Sequence, residues 1–393
     1  PVLADREPPA PRSSPIAVTS STIIEGDNVQ YRGTDIDQLI AEGNGRLVIK
    51  DGGSIDNRGL TVPTRLTEVR LKAAAHLNLP PEHPAVMAEV RRHYHQLSPE
   101  HVVAKNTIRP AALVAYTARD HPRRLHYAAG AASRAIAHLI ERPQATASRF
   151  SAAALLGIGD FADAADTALL GPYSRHLAGS VLEPSVRRKA RDLPTWTLHL
   201  GEHELQVTPP MLTLAHCLRA VLNGEHAWRT PRGLPHADAT IRAVQLLDRY
   251  RREFRLSEKH LSTGLRGLIN HRTLHRLLRL SDGGSDSPPE TLMRLIVRHA
   301  APELEWRSQV PVHAADGTLL TVLDLAAITR RHYLYYDGDH HLDREQRDKD
   351  SLITAQLHAS GWTGIRVTAG MLEGVHMLNA HLRVLVTPES RAA

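Results

Sequence analysis

The 393-residue chain has little cysteine, little lysine and few aromatic residues. Its one cysteine, Cys217, excludes an intramolecular disulfide framework and cysteine-rich zinc fingers or ribbons, and it fits the reducing cytoplasm. No run approaches the ~18 uninterrupted apolar residues that a spanning helix needs, so no membrane partner is expected. Neither a Gly-x-Gly-x-x-Gly nor a Gly-x4-Gly-Lys-Ser/Thr loop occurs, so a nucleotide cofactor is not expected. Gly157-Ile158-Gly159 reads as the end of a helix, and no Gly-x-Ser-x-Gly elbow is present. With 42% hydrophobic and 23% charged residues, the composition is that of a folded globular chain.

Only six of the 48 basic residues are lysine, and 42 acidic residues leave a net charge of +6. An excess of arginine suits phosphate recognition, because the guanidinium fork pairs bidentately with phosphate oxygens. A GC-rich coding genome produces the same excess, and +6 over this length does not discriminate between the two. Composition therefore permits a nucleic-acid partner without establishing one.

The length predicts two or three domains. Residues 1–19 carry prolines at 1, 8, 9, 11 and 15, lack the apolar stretch of a signal peptide and read as a disordered tail; the missing initiator Met implies a processed start. Residues 20–144 read as an α+β region. Thr34 can cap a helix through Ile40, Arg46–Lys50 alternates, and helical spacing covers Leu66–Leu77, Ala85–Leu97 and Leu125–Ile140. A winged-helix reader and a small α+β cap both fit that pattern. Residues 145–281 read as mainly helical, with a hairpin formed by Trp196–Leu200 and Glu204–Val207 around Gly201-Glu202.

Gly283-Gly284-Ser285-Asp286-Ser287 marks a break. From 282 to 393 the pattern predicts a helix (288–299), three strands (305–312, 319–326, 333–336), a helix (343–360), a strand (364–368) and a last helix (371–382). A meander followed by a crossover helix to a further strand predicts an α/β/α domain with a mixed sheet. The whole is thus expected to be an α+β multidomain chain.

The densest acidic and histidine signal is Tyr335-Tyr336-Asp337-Gly338-Asp339-His340-His341, where the third strand ends. Asp324 falls in the apolar run Thr321–Ala326, and a carboxylate there must be paired, hydrated or metal-bound. Adjacent strands can bring Asp324 and the Tyr336 main-chain carbonyl to one hard cation such as Mg2+ or Mn2+, which binds oxygen and retains water. A nearby histidine would then accept a proton from attacking water. Taken singly, Asp337-Gly338 is an ordinary turn, Glu290 a first-turn helix acid and Trp362 a packing residue.

The segment resembles the restriction-endonuclease-like fold, and within it the very-short-patch-repair endonuclease relatives. It is similar to an actinobacterial domain of unknown function that ends in "EYDG–H … D … GW–RV": here Tyr335–His341, Asp350, Gly361-Trp362 and Ile365-Arg366-Val367. Ser287-Pro288-Pro289-Glu290 resembles that family's helix start, and Val322–Ala326 its "VDLA" strand. The resemblance implies a divalent-metal-dependent DNA endonuclease or nickase. It places Asp324 and the Tyr336 carbonyl on the metal, Asp337 behind them, His341 as general base, Asp350 orienting His341, and Glu290 on a metal-bound water; Asp348 is the alternative to Asp350. Two departures stand out. Tyr335 replaces a glutamate that many relatives carry, and Ile353 replaces an arginine. The first leaves open a catalytically inactive DNA-binding regulator. Ser151–Gly157 and Leu205–Pro209 resemble segments of type IV abortive-infection antitoxin relatives, which points to such a regulator and to DNA as partner. On either reading Arg266, Arg272, Arg276 and Arg294 are the expected phosphate contacts, lining the approach to Asp324. The oligomeric state is not legible.

Overall fold

The computed structural model describes residues 22–26, 29–33, 54–57, 60–107, 121, 123–175, 180–314, 316–337 and 344–386. Among them the chain is mixed α+β, with twelve α-helices and sheets of eight, four and three strands. The segments 34–40 and 46–50, expected as a helix and a strand, lie outside the described residues, as does the tail 1–19.

The N-terminal strands β1 (Thr22–Gly26), β2 (Val29–Gly33) and β3 (Ser54–Asn57) form an antiparallel edge of the large sheet. Strand β4 (Thr64–Arg65) leads into α1 (Leu66–Leu77) and α2 (Pro84–His93), followed by β5 (Tyr94–Gln96) and β6 (His101–Ala104). Helical spacing over 85–97 is cut at His93. Tyr94 is extended (φ −127°, ψ 151°), and pairing of Tyr94–Gln96 with β6 replaces the last helical turn. The three strands are antiparallel in the order β4-β6-β5. Val69, Val90 and Val102 join both helices to this small sheet.

Helix α3 (Ala131–Glu141) starts six residues later than its periodicity predicts, where Asp163 Oδ1 accepts the Ala131 N–H at 2.7 Å. The region expected to be mainly helical also supplies β7 (Thr146–Ala147), β8 (Ala168–Gly171), β9 (Ser185–Arg188), β10 (Trp196–Leu200) and β11 (His203–Val207), with α4 (Arg149–Leu155) between β7 and β8. The first three strands are only two to four residues long, too short to show a period of two. The hairpin β10–β11 is legible because its inward residues Trp196, Leu198 and Leu200 alternate with half-buried ones, and Gly201 takes φ 59° at the turn. The eight-stranded order is β1-β2-β3-β10-β11-β7-β8-β9.

Helices α5 (Pro210–Leu222), α6 (Asp238–Glu253), α7 (Glu258–Gly264), α8 (His271–Leu280) and α9 (Pro288–Ala300) follow, and proline at the first turn of α5 and α9 suits a position whose N–H has no intrahelical acceptor. Then come β12 (Trp306–His313), β13 (Leu319–Ala327), β14 (His332–Asp337), α10 (Arg344–Ala359), β15 (Thr363–Thr368), α11 (Ala369–Glu373) and α12 (Val375–Val386). The expected last helix is divided at Gly374. Strands β12, β13 and β14 are antiparallel, and β15 runs parallel to β14 after the α10 crossover. Leu325, Leu334 and Val367 pack with α9 and α12 on one face of this mixed sheet; Leu323, Tyr333 and Tyr335 pack with Ile353 and Leu357 of α10 on the other. That gives helix, sheet and helix layers. The first of these faces belongs to one continuous apolar core that runs from Ile55 to Leu385.

Candidate functional site

The site is built where two strands part. Pairing of β13 with β14 runs through Ala327↔His332, Ala326↔Tyr333 and Leu325↔Leu334, and Asp324 is the next residue on β13. Its carboxylate takes over at that point: Oδ2 accepts the Tyr336 N–H at 2.8 Å. In an extended strand a residue's N–H and C=O leave the same edge, so the Tyr336 carbonyl also faces the Asp324 side.

Opposite Asp324 in the β12–β13 register stands Gln309, between Ser308↔Leu325 and Val310↔Leu323. Gln309 has φ 51°, a strained value for a residue with a side chain. The kink switches the facing of both strands: Trp306 and Leu325 lie in the main core, whereas Val310 and Leu323 lie in the second cluster. Gln309 Nε2 donates to Glu290 Oε2 at 3.2 Å. Glu290, in the first turn of α9, also accepts the Asp286 N–H (2.9 Å) and the Ser287 hydroxyl (2.8 Å). The structure thus links Glu290 through Gln309 to the strand position beside Asp324.

Both carboxylates are held towards their neutral forms. Burial pushes Glu290 up to about 7, and the charge of Asp324 adds to the effect against the Asp286 and Ser287 hydrogen bonds. Burial pushes Asp324 up to about 6, the Tyr336 N–H opposing and Asp286 reinforcing it.

Asp337 and Asp350 meet a different partner. Arg366 on β15 reaches Asp350 Oδ2 at 3.2 Å and Asp337 Oδ2 at 3.9 Å, and its guanidinium carbon lies 5.7 Å from the centre of the Tyr335 ring. Asp350 was expected to orient His341, which lies outside the described residues together with Asp339 and His340; in the structure Asp350 engages Arg366. Arg366 also acts on the Asp324 charge, so the two groups of acids share one cation. Among the described residues no three histidine, cysteine or acidic side chains converge on a point that could hold a metal ion. Two carboxylates and a main-chain carbonyl still fit Mg2+, which keeps several waters and commonly takes only one or two carboxylates beside substrate phosphate.

The expected phosphate contacts divide. Arg294 is 1% exposed; its guanidinium pairs with Asp248 and donates to the Leu280 carbonyl (2.6 Å) and Ser285 Oγ (3.3 Å). It is an internal anchor, not a phosphate contact. Arg266, Arg272 and Arg276 are exposed, but Arg276 acts together with His299 on His236. His299 is nine residues beyond Glu290 on α9, about 14 Å along the helix axis, so the His236 that Arg276 acts on is grouped with the end of α9 remote from Glu290.

Sequence reasoning missed Gln309 and gave Arg366 no role. The signal for Arg366 was its place between Ile365 and Val367 in a strand covered by α10; Gln309 carried none, since its importance comes from the kink. No known family, curated protein or solved structure matches this chain.

Proposed function

We propose that residues 282–393 form a restriction-endonuclease-like unit, and that the protein is a DNA-binding, divalent-metal-dependent endonuclease or nickase. The observation that carries this reading is the pair of carboxylates, buried Glu290 and half-buried Asp324, beside the fork of β13 and β14, each raised towards protonation by removal from water. Asp324 and the Tyr336 carbonyl would hold Mg2+, with Glu290 bonding a water beside it. The ion, when bound, supplies Lewis acidity at a phosphodiester. Asp324 is held in place by the Tyr336 N–H, and Gln309 fixes Glu290. Arg366 keeps a positive charge beside Asp337 and Asp350, and His341 would take the proton of the attacking water.

The second reading, a non-cleaving DNA-binding regulator, is favoured by Tyr335. Its hydroxyl hydrogen-bonds Thr321 Oγ1 at 2.5 Å, and burial pushes it up to about 12, so this position offers no anionic ligand at neutral pH where the relatives carry glutamate. Both readings take DNA as partner, and the order β4-β6-β5 with two helices between β4 and β5 supports a winged-helix reader at the N-terminal end. A supercoiled-plasmid nicking assay with Mg2+ or Mn2+ separates them. Nicking by the wild type, lost in Asp324→Ala and His341→Ala, supports the enzyme. Metal-independent gel shifts with no cleavage of any DNA would leave the regulator.

A further inference from the structure

A second polar cleft lies away from the Glu290–Asp324 fork, against the large sheet. Arg149 at the start of α4, Arg187 on β9, His216 and Arg219 on α5, and Asn223 and Glu225 just beyond α5 line a cavity of ≈160 Å3. Three arginines share it with one carboxylate. Arg149 Nη2 and Arg187 Nη2 converge on the same oxygen, Glu225 Oε2, at 2.5 and 2.9 Å. Arg219 is held from the other side by its Nε on the Leu268 carbonyl at 2.9 Å.

The cleft therefore concentrates positive charge that its own acid only partly offsets. His216 registers this field. Burial first, and then the charges of Arg149, Arg219 and Arg187, push it down to about 4, so it stays neutral at pH 7. Burial pushes the Glu225 carboxyl up, but the Arg149 hydrogen bond and the charges of Arg149 and Arg187 outweigh it and hold the group below its ordinary value. With His216 neutral, the cleft carries a net charge of about +2.

Arg149 has φ 53°, a left-handed conformation that a residue with a side chain adopts only under constraint. Its guanidinium meets Glu225 at the wall of the cavity. A volume of ≈160 Å3 is well below the ~300–1,000 Å3 of pockets that enclose whole small molecules, so the cleft suits one compact anion or the end of a larger ligand. Planar guanidinium forks match tetrahedral oxyanions bidentately. A phosphodiester, with one negative charge, would leave positive charge over, whereas a dianion neutralises the cleft.

We propose that this cleft binds a phosphate dianion, either inorganic phosphate or the terminal phosphate of a phosphomonoester. Its recognition elements are Arg149, Arg187 and Arg219, with Glu225 holding the first two in position and Asn223 and His216 completing the wall. The site does not depend on metal or on cleavage, so it stands or falls apart from the nuclease reading.

Isothermal titration of the full chain with inorganic phosphate, at an ionic strength matched with chloride, tests it. The expected result is saturable binding at one site per chain, weakened at least tenfold in Arg187→Ala and in Arg219→Ala. Arg187→Lys should give an intermediate loss, and Arg307→Ala, remote and paired with Glu305, no change. Arg187 and Arg219 are exposed, and a far-UV spectrum and melting temperature like those of the wild type would show that their variants fold. Competition by glycerol phosphate assigns a small-molecule source. Competition by a 5′-phosphorylated oligonucleotide, but not by its 5′-hydroxyl counterpart, assigns a nucleic-acid end. The proposal is overturned if phosphate gives no saturable heat, or if Arg187→Ala and Arg219→Ala bind it as tightly as the wild type.

Discussion

Asp248 gathers more partners than any one sequence feature announces. It accepts from the Arg294 guanidinium, Ser281 Oγ (2.8 Å), the Asp282 N–H (2.7 Å) and Thr291 Oγ1 (2.9 Å), tying α6 to α9 and to the loop between α8 and α9. Deleting one member of a buried ion pair leaves an uncompensated charge, at a cost of about 3–5 kcal/mol. Asp248→Ala is therefore expected to lower the unfolding free energy by that amount, read from urea denaturation at pH 7. Glu290 gives a pH signature of the opposite origin. Its folded-state value, about 7, lies above the ordinary carboxyl value of 4.5, so the folded protein holds the proton more tightly than the unfolded chain. This group's contribution to stability is fully favourable below pH 4.5, declines as the pH rises, and is lost above 7. In metal-free buffer Glu290→Gln should flatten the fall in melting temperature between pH 5 and pH 8. If Mg2+ binds the ionised pair, it should raise the wild-type melting temperature more at pH 8 than at pH 5.5. An equal Mg2+ effect at both pH values would count against metal at this site.

Elements were legible where their periodicity was long and their neighbours did not interfere. Helix α1 occupies the predicted Leu66–Leu77, and the strand, helix and strand order after 288 follows the pattern of apolar residues. The strands β7, β8 and β9 escaped because they are too short to alternate, and they exist through pairing with partners up to sixty residues away. Helix α2 stopped early because pairing of β5 with β6 buries Leu97. The parallel pair β14–β15 rests on a close approach. A Cβ on Gly364 would lie 2.5 Å from the Tyr333 ring, which in turn packs on Leu357 of α10. Gly364→Ala should destabilise by about 1–3 kcal/mol, the range for an overpacked core. Thermal unfolding checks this, and Gly201→Ala, with open space around the new methyl but φ 59°, isolates backbone strain for comparison.

At the scale of the molecule, the apolar core passes without interruption from the eight-stranded sheet through α5, α6 and α9 to the face of the mixed sheet that α12 covers. The Asp248–Arg294 pair crosses the loop at residues 281–287, where the sequence shows its clearest break. A fragment ending at residue 281 would expose the α6 surface that α9 covers and leave Asp248 without its arginine. We expect such a fragment to lack a cooperative thermal transition in calorimetry, whereas the full chain shows one that includes the mixed sheet. Among the described arginines, Arg294 is internal, Arg276 acts near the far end of α9, and Arg149, Arg187 and Arg219 gather at the second cleft.

The sequence by itself determined that the chain is α+β, that a helix, meander and crossover follow residue 287, and that Asp324 needs a partner. Local periodicity and the cost of burying a charge suffice for those statements, since each depends on residues close together in the chain. Only the tertiary structure decided which acids meet. Gln309, whose strained φ no local pattern encodes, ties Glu290 to the strand position opposite Asp324, while Asp350 of α10 meets Arg366 of β15 because α10 packs over the face that Arg366 shares with Tyr335. The fate of the arginines was decided in the same way: sequence counts charges, and whether a guanidinium faces solvent, an aspartate or a cleft depends on contacts between residues tens of positions apart.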